Sequence, residues 1–571
     1  MTPPHDRITT TPLARTSANR RAVLQGIAGA TIAGAAASPR VTFAQDMAPA
    51  TPAAGATGGT QPVPGQIQYP SGRDGVPDAY LALPEPFVSS AGTPGTGGTV
   101  RTFTIAYDPP PPDRDSNQFW QELERRLGVT WEVDMTPQSA YGEKSAAYFS
   151  GGDLPDIFYL NPGQGAPQQY QAMSQGAFQD LTPFVTGDAL QQYPNLAAIP
   201  QYVWDNVKFQ GQILGIPATH VSRFGNVPFY RTDWAAAVGM SGAAGPDQVR
   251  AMMQAFTQND PDANGSPDTW GMGRYEGGWF PWDNTLASTM FRVPFDWRLN
   301  PDGTLTSMLE TEEYRQAIAW TAQVYQDGSF HPDAASMTFG SAREAFIGGA
   351  TSLHAGGFLA FYLAGGPIDQ VQTVNPAATV GPLFPVAADG QPGFVRNTPG
   401  FFGYNAIPSS IDDENRVREL LRVLDYLASP FGSEEWLFLS YGIEGVHFER
   451  SATGDPIVND LGRRERSSLI YQMPPLPTLY IPDQPELALT IMDQAVRLLD
   501  IGMDPPTRGL YSPAEVENGA ALAQFGSDSV TSIITGRTPL DQLDATIAEW
   551  RDRGGDQIRE EFQEALQGAG S

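Results

Sequence analysis

Cysteine is absent from the chain, which removes disulfide bonds, thiolate metal sites, a cysteine nucleophile and a lipid-modified cysteine behind a leader. Basic residues are scarce: 34 Lys and Arg stand against 63 Asp and Glu, a formal net charge of -29. Nucleic acid and anionic membrane surfaces are therefore excluded as partners, because both need clustered cations. The 5 histidines are scattered and form no metal-ligand spacing, so His220 and His354 read as structural. No run behind the N-terminal region reaches the ~18 to 20 apolar residues that span a bilayer. HExxH, GxSxG and GxxxxGK are missing, and with them the common signatures of zinc proteases, serine hydrolases and phosphate loops. What is present suffices for a large core: 571 residues, 41% hydrophobic and 11% aromatic, exceed one compact domain and predict two lobes or more.

The N-terminus carries an address. Asn19-Arg20-Arg21-Ala22-Val23-Leu24 precedes a weakly apolar Gly/Ala-rich stretch over 27–37, then Arg40 and a cleavage candidate at Thr42-Phe43-Ala44. Paired arginines before such a stretch read as a twin-arginine-like signal peptide over residues 1–44, with an ordinary Sec signal as the alternative. Either exports the chain. Residues 45–99 are rich in Ala, Pro, Gly and Thr and read as a flexible linker without a core.

Order is expected from residue 100 onward. An alternating strand over 101–107 is followed by a helix whose Phe119, Leu123 and Leu127 share one face, with Ser116 as its cap and Gly128 at its end. A strand over 129–135, a helix around 143–149 and a strand over 156–160 complete a βαβαβ unit, hence a parallel sheet with right-handed crossovers. Ligands gather at the carboxyl ends of such strands, here near Tyr107, Asp108 and Asn161-Pro162-Gly163. Further helices are predicted over 246–258, 312–326, 413–429, 433–439, 485–499 and 540–567, and strands over 213–217, 227–230, 351–354 and 402–407.

One loop carries metal-ligand spacing. Asp260, Asp262, Asn264 and Asp268 stand at positions one, three, five and nine, Gly265 permits the turn at six, and Ser266 offers its backbone carbonyl at seven. A calcium ion wants six to eight such oxygens. Gly271 stands at position twelve, where an EF-hand has a bidentate glutamate, and a metal-free Asp/Asn/Gly turn is the alternative.

Several segments, in order, carry a resemblance: Ser150-Gly151-Gly152-Asp153-Leu154-Pro155-Asp156-Ile157, Phe178-Gln179-Asp180-Leu181-Thr182-Pro183, Gly211-Gln212-Ile213-Leu214-Gly215-Ile216-Pro217, Tyr230-Arg231-Thr232-Asp233-Trp234, the 260–268 loop, and Tyr441-Gly442-Ile443-Glu444-Gly445-Val446-His447-Phe448. Together they resemble the extracellular (periplasmic) solute-binding proteins of ABC importers, the large oligosaccharide-binding type. The resemblance implies a periplasmic-binding-protein fold: two α/β lobes joined by crossing hinge strands, with a helical C-terminal part. Lobe 1 would comprise 100–219 plus 350–409 and lobe 2 would comprise 220–349 plus 410–571, with crossings near Ile216-Pro217, His354 and Tyr404. It implies a structural calcium ion in lobe 2 away from the cleft, although Thr269 sits where the family often adds a glutamate. It further implies a non-enzymatic monomer, periplasmic or extracellular, that captures a carbohydrate and delivers it to an ABC permease in the membrane. An outer membrane or an uncleaved signal would retain it.

Ligand residues are expected among exposed aromatics, because rings stack on the apolar face of a pyranose by dispersion and CH-π contact. The stretch from Trp270 to Trp297 holds Trp270, Tyr275, Trp279, Phe280, Trp282, Phe291, Phe295 and Trp297. Trp279 and Trp282, flanked by Gly277-Gly278 and Pro281, are expected as stacking platforms, with core filling as the alternative. Phe358 follows an expected crossing strand, and Asp108, Asn161 and Arg223 are the polar candidates. Two other functions stay open: the same fold holding a peptide, polyamine or other solute, and a secreted glycoside hydrolase. The latter needs two carboxylates about 5 to 9.5 Å apart, for which Asp283, Asp296 and Glu444 are nominees.

Overall fold

The computed structural model describes residues 65–107, 109–161, 168–219, 223–240, 242, 245–274, 279–280, 282, 285–363 and 365–569. The signal peptide at 1–44 and the first part of the expected linker, 45–64, lie outside the described residues.

The strand Thr99–Ala106 is buried along most of its length and pairs in parallel with Thr130–Pro137, from Thr99 opposite Thr130 to Ala106 opposite Pro137. Its other edge pairs in parallel with Ile157–Leu160. The first crossover is the helix Gln118–Leu127, which buries Phe119, Trp120, Leu123 and Leu127. Its cap is Asn117 rather than Ser116. The Asn117 side chain accepts from the Trp120 N–H at 2.9 Å, while Ser116 closes the preceding short turn. Gly128 ends the helix at φ 70°, a left-handed conformation that glycine adopts without a Cβ penalty.

Two further strands come from distant parts of the chain. Phe401–Ala406 pairs antiparallel with both Ile157–Leu160 and Gly215–Thr219, placing Tyr404 between Leu160 and Pro217. The sheet order is thus Thr130–Pro137, Thr99–Ala106, Ile157–Leu160, Phe401–Ala406, Gly215–Thr219. The helices Glu414–Leu427 and Glu434–Tyr441 pack into the same core through Val417, Leu420, Leu424, Phe438 and Leu439. We call this the first lobe.

The second sheet runs Val380–Pro382, Asn226–Arg231, Thr351–Gly357, Trp270–Met272. Thr351–Gly357 pairs antiparallel with Asn226–Arg231 and parallel with Trp270–Met272. Its two faces belong to two cores. Tyr230, Met272 and Leu353 join one, and Val227 and Phe229 join another with the helix Pro485–Leu499.

These pairings revise the expected lobe boundaries. The segment 350–395 belongs with the second sheet, and 410–473 belongs with the first core. His354 is not at a crossing, since it lies opposite Phe229 inside the second sheet. Burial among Phe339, Phe346 and Phe361 pulls its pKa down to about 4, so the ring is neutral. The chain passes between the lobes after Gly215–Thr219, between Val395–Arg396 and Phe401–Ala406, and through 474–484.

The linker expectation is also corrected over its described part. Tyr69, Val76 and Ala79 are buried in the core beneath Pro485–Leu499. Gln68–Tyr69 pairs with Ala79–Tyr80, which runs parallel to Leu479–Tyr480. Farther on, the Thr96 N–H and hydroxyl donate to Glu419 and the Ser89 N–H donates to Glu435. A Pro/Gly-rich segment cannot build a core alone, yet three well-placed apolar residues dock it on a core built elsewhere.

The C-terminal part is helical. Pro513–Ile534 is a 22-residue helix absent from the sequence expectation. The single helix expected over 540–567 is broken, with Leu543–Trp550 and Asp556–Ala569 meeting at Gly554, φ 123°. Among the described residues no helix is long and apolar enough to cross a membrane.

Candidate ligand-binding cleft between the lobes

The first-lobe wall starts where Thr99–Ala106 ends. Tyr107 is 44% exposed and its ring lies 5.2 Å from Tyr471 and 5.8 Å from Phe402. Tyr471 in turn packs on the buried Tyr159. Dehydration pushes the Tyr107 hydroxyl well above its ordinary pKa, with a hydrogen bond to Tyr471 opposing it. Behind the rings, the Tyr159 hydroxyl and both amide atoms of the fully buried Gln472 have no hydrogen-bond partner among the described residues, and Asn405 Nδ2 donates to the Gln472 carbonyl at 2.8 Å. Gly403 is required here, since a Cβ would lie 2.5 Å from both the Leu160 carbonyl and the Tyr159 ring.

The second-lobe wall is the N-terminus of Pro513–Ile534. Ser512 caps it by accepting from the Glu515 N–H at 3.0 Å. Just before it, Leu510 packs in the second lobe while Tyr511 reaches the first, 5.8 Å from Phe209 and 6.4 Å from Tyr170. The Glu515 carboxyl is pushed up to about 7 by desolvation, with Asp296 adding and Arg396 opposing. Tyr170 of the first lobe is raised to about 12, first by burial and then by the Glu515 charge. Arg396 Nη2 meets Asp296 Oδ2 at 2.8 Å. Trp279, Asp296, Trp297 and Glu515 line a crevice of about 180 Å³.

Between the walls, Asp504 ties the crossing segments. Its carboxylate takes Arg508 at 3.2 Å, and Arg223 and Asn397 Nδ2, each at 3.2 Å. Arg508 also donates to the carbonyls of Asn397 and Thr398. A larger cavity of about 600 Å³ opens beside the third crossing, with Tyr362 and Leu363 on the second-lobe bank and Tyr441, Arg466 and Ile470 on the first-lobe bank.

The sequence-predicted residues scatter across this arrangement. Trp282 is fully buried, T-shaped against Tyr325 and Phe330, with Nε1 donating to Thr531 at 3.2 Å. Phe358 is likewise fully buried against Phe224 and Phe229. Both are core rings, which corrects their expected place in the site. Trp279 is half-buried and lines the second-lobe crevice. Its ring covers Gly526 so closely that a Cβ there would sit 2.3 Å from it, and its carbonyl accepts from the Tyr314 hydroxyl. Asn161 is buried at the end of its strand, Arg223 belongs to the Asp504 knot, and Asp108 lies outside the described residues. Of the hydrolase nominees, Asp296 pairs with Arg396, Glu444 pairs with Arg450, and Asp283 is outside the described residues. Tyr107, Tyr471, Phe402, Tyr170, Tyr511 and Glu515 were not singled out as ligand residues. Tyr107 closes a legible strand, whereas nothing local marks Glu515.

The aspartate loop draws its acids together. Asp260 accepts from the N–H groups of Asn264 and Gly265, and Asn264 Nδ2 donates to Asp262 at 2.8 Å and Asp268 at 3.2 Å. Asp260 and Ala263 have positive φ, at 47° and 56°. The Asp262 pKa is raised, first by desolvation and then by Asp260 and Asp268. This all-oxygen set around repelling carboxylates suits a hard cation. Position twelve supplies nothing, because Gly271 lies in the buried strand Trp270–Met272. Ser266 donates its N–H to Asn264 Oδ1, leaving its carbonyl as the expected seventh-position donor. Among the described residues, no three His, Cys, Asp or Glu side chains already stand at metal-holding spacing.

No family model matches the chain. Among curated relatives, lipoprotein LipO of Bacillus subtilis (strain 168) is 24% identical over 498 residues, 83% of this chain and 93% of the relative. The polygalacturonan/rhamnogalacturonan-binding protein YtcQ of the same organism is 24% identical over 500 residues, 84% and 94% respectively. Among solved structures, the Streptococcus pneumoniae ABC-transporter substrate-binding protein FusA with kestose aligns at TM-score 0.61 and 15% identity, over 82% of this chain and 99% of that one. An extracellular solute-binding protein of Bifidobacterium longum subsp. infantis aligns at TM-score 0.62 and 16% identity, over 82% and 98%. The alginate-binding protein AlgQ2 without calcium ion aligns at TM-score 0.57 and 15% identity, over 84% and 100%, and FusA also occurs as an EF-hand mutant. The chain therefore has the two-lobed α/β fold of these solute-binding proteins.

Proposed function

We propose that this chain, with the fold of ABC-transporter solute-binding proteins, captures an oligosaccharide outside the cytoplasm and hands it to a membrane permease without bond chemistry. The observations that carry the reading are the partly exposed Tyr107–Tyr471–Phe402 cluster at the strand ends of the first lobe and the meeting of the lobes where Tyr511 packs on Phe209 and Tyr170. Exposed rings offer stacking faces for pyranoses, and the charged groups offer hydrogen bonds to hydroxyls. The relatives named for saccharides support the same reading.

Ligand binding closes the lobes because both walls touch the ligand only in the closed state. An affinity near micromolar, about -8 kcal/mol, captures a solute yet releases it. The paired arginines near residue 20 support export, and the chain acts as a monomer. Calcium, where bound, is held by Asp260, Asp262, Asn264 and Asp268 with the Ser266 carbonyl, and it supplies charge neutralisation that staples the loop. The test is incubation with an oligosaccharide mixture. The expected result is a raised melting temperature with no new reducing ends. Stabilisation by peptides or polyamines but by no glycan overturns the carbohydrate reading, and released reducing ends overturn the binding-only reading.

A further inference from the structure

The cavity beside the third crossing holds a charge that the fold leaves unanswered. Arg466 ends the helix Asp460–Arg466 and donates its Nε to the Leu439 carbonyl at 3.2 Å. Among the described residues it has no carboxylate within ion-pair distance, and its two Nη groups have no acceptor. Burial alone pulls its pKa down to about 10, with only Tyr441 opposing. At neutral pH it is still charged, so a half-buried cation without a carboxylate partner stands on the wall of a cavity of about 600 Å³. A half-buried guanidinium with unused N–H donors gains a charge-assisted hydrogen bond when an anion arrives.

The two other charged side chains that line this cavity have partners. Arg463, on the same wall, meets Asp460 at 2.9 Å. Asp369, on the second-lobe bank, accepts from the Gly365 N–H at 2.9 Å and sits in the first turn of the helix Pro367–Val374, where the helix dipole favours it. Arg396 pairs with Asp296, and Arg223 and Arg508 share Asp504. Among the described residues lining the cavity, Arg466 is therefore the cation with capacity to spare. The remaining wall is suited to a sugar ring. Tyr362, Tyr441, Ile470 and the prolines of the crossing segment give it apolar faces, and Leu363 and Ile457 stand exposed on its two banks. Ile470 also adjoins, in the chain, Tyr471 of the aromatic cluster.

We propose that this cavity is a subsite for a carboxylate-bearing sugar, a uronic acid residue, whose carboxylate pairs with the free Nη groups of Arg466. A guanidinium presents two parallel N–H donors that match a carboxylate, which a neutral hydroxyl cannot do. The inference rests on the reading of the cleft as a saccharide site and names the chemical class of its ligand.

The test is calorimetric titration of the purified chain with an oligogalacturonate, a neutral galactose oligomer of equal length, and inorganic phosphate. The acidic oligomer is expected to bind about tenfold or more tightly than the neutral one, with the preference lost in Arg466→Gln and partly kept in Arg466→Lys. The preference in the unaltered chain is also expected to shrink as salt is raised, a readout that needs no variant. Neutral sugar binding at least as well as the acidic one overturns the inference and leaves the saccharide reading standing. No binding of either sugar overturns both. Phosphate binding as tightly as the acidic oligomer assigns the cavity to free anions instead, and a preference unchanged in Arg466→Gln removes Arg466 from the site.

Discussion

Tyr80 and Tyr480 lie opposite each other in adjacent parallel strands, and both rings turn onto Phe431, at 4.4 Å and 5.2 Å. Their strand neighbours Ala79 and Leu479 point the other way, into the core beneath Pro485–Leu499. The small sheet is thus a pad with one face on each lobe, and its N-terminal strands come from the Pro/Gly-rich segment.

A flexible linker would tolerate any change at Tyr80, whereas a packed pad would not. Tyr80→Ala is expected to lower unfolding free energy by about 1–3 kcal/mol, measured by urea denaturation. An unchanged midpoint would return this segment to the linker class.

The exposed and the buried aromatics should respond oppositely. Tyr107→Ala is expected to weaken oligosaccharide binding by about tenfold with the melting temperature nearly intact, since one stacking face of about 1 kcal/mol or more is lost. Trp282→Ala is expected to cost about 3–5 kcal/mol of stability as a cavity mutant. Paired titration and thermal melts distinguish the two.

Glu515 sets a pH dependence whose sign follows from its shift. Its folded pKa is about 7 against an ordinary 4.5, so between these values the folded state holds a proton that the unfolded state has released. Its contribution therefore falls as pH rises through that window and levels off above about 7. The Asp425 carboxyl, raised to about 6 by burial, acts in the same direction. Stability curves of the unaltered chain and Glu515→Gln, compared from about pH 5 to about pH 8, should diverge in this sense, with the variant gaining relative stability at the alkaline end.

Chelation tests the aspartate loop. Calcium at about 100 times its dissociation constant is expected to add about 2.7 kcal/mol, with a chelator reversing the gain and Asp268→Asn abolishing it. Equal melts with and without calcium would leave Asp260 to Asp268 as a metal-free turn.

Most elements were legible because they rest on local periodicity. Phe119, Leu123 and Leu127 recur on one helical face, and the alternation through Phe103 and Ile105 marks a strand. The order of short motifs from Ser150 to Phe448 was enough to suggest the two-lobed fold. Lobe membership was not legible, because it depends on which distant strand accepts the backbone hydrogen bonds of Thr351–Gly357 or Phe401–Ala406. A helix such as Pro513–Ile534, with Gly519 and Gly526 in its interior, gives a weak local signal and is stabilised by tertiary contacts.

The amino-acid sequence by itself determined the absence of thiol chemistry, the acidic surface, the oxygen-rich loop and the succession of strands and helices, since each depends on residue type or short-range spacing. The tertiary structure alone decided that Trp282 and Phe358 fill cores while Tyr107 stays exposed, that Tyr511 beside Glu515 meets the first lobe, and that Arg466 has no counter-ion among the described residues. Exposure and charge pairing are properties of neighbours hundreds of residues away, and no local pattern encodes who those neighbours are.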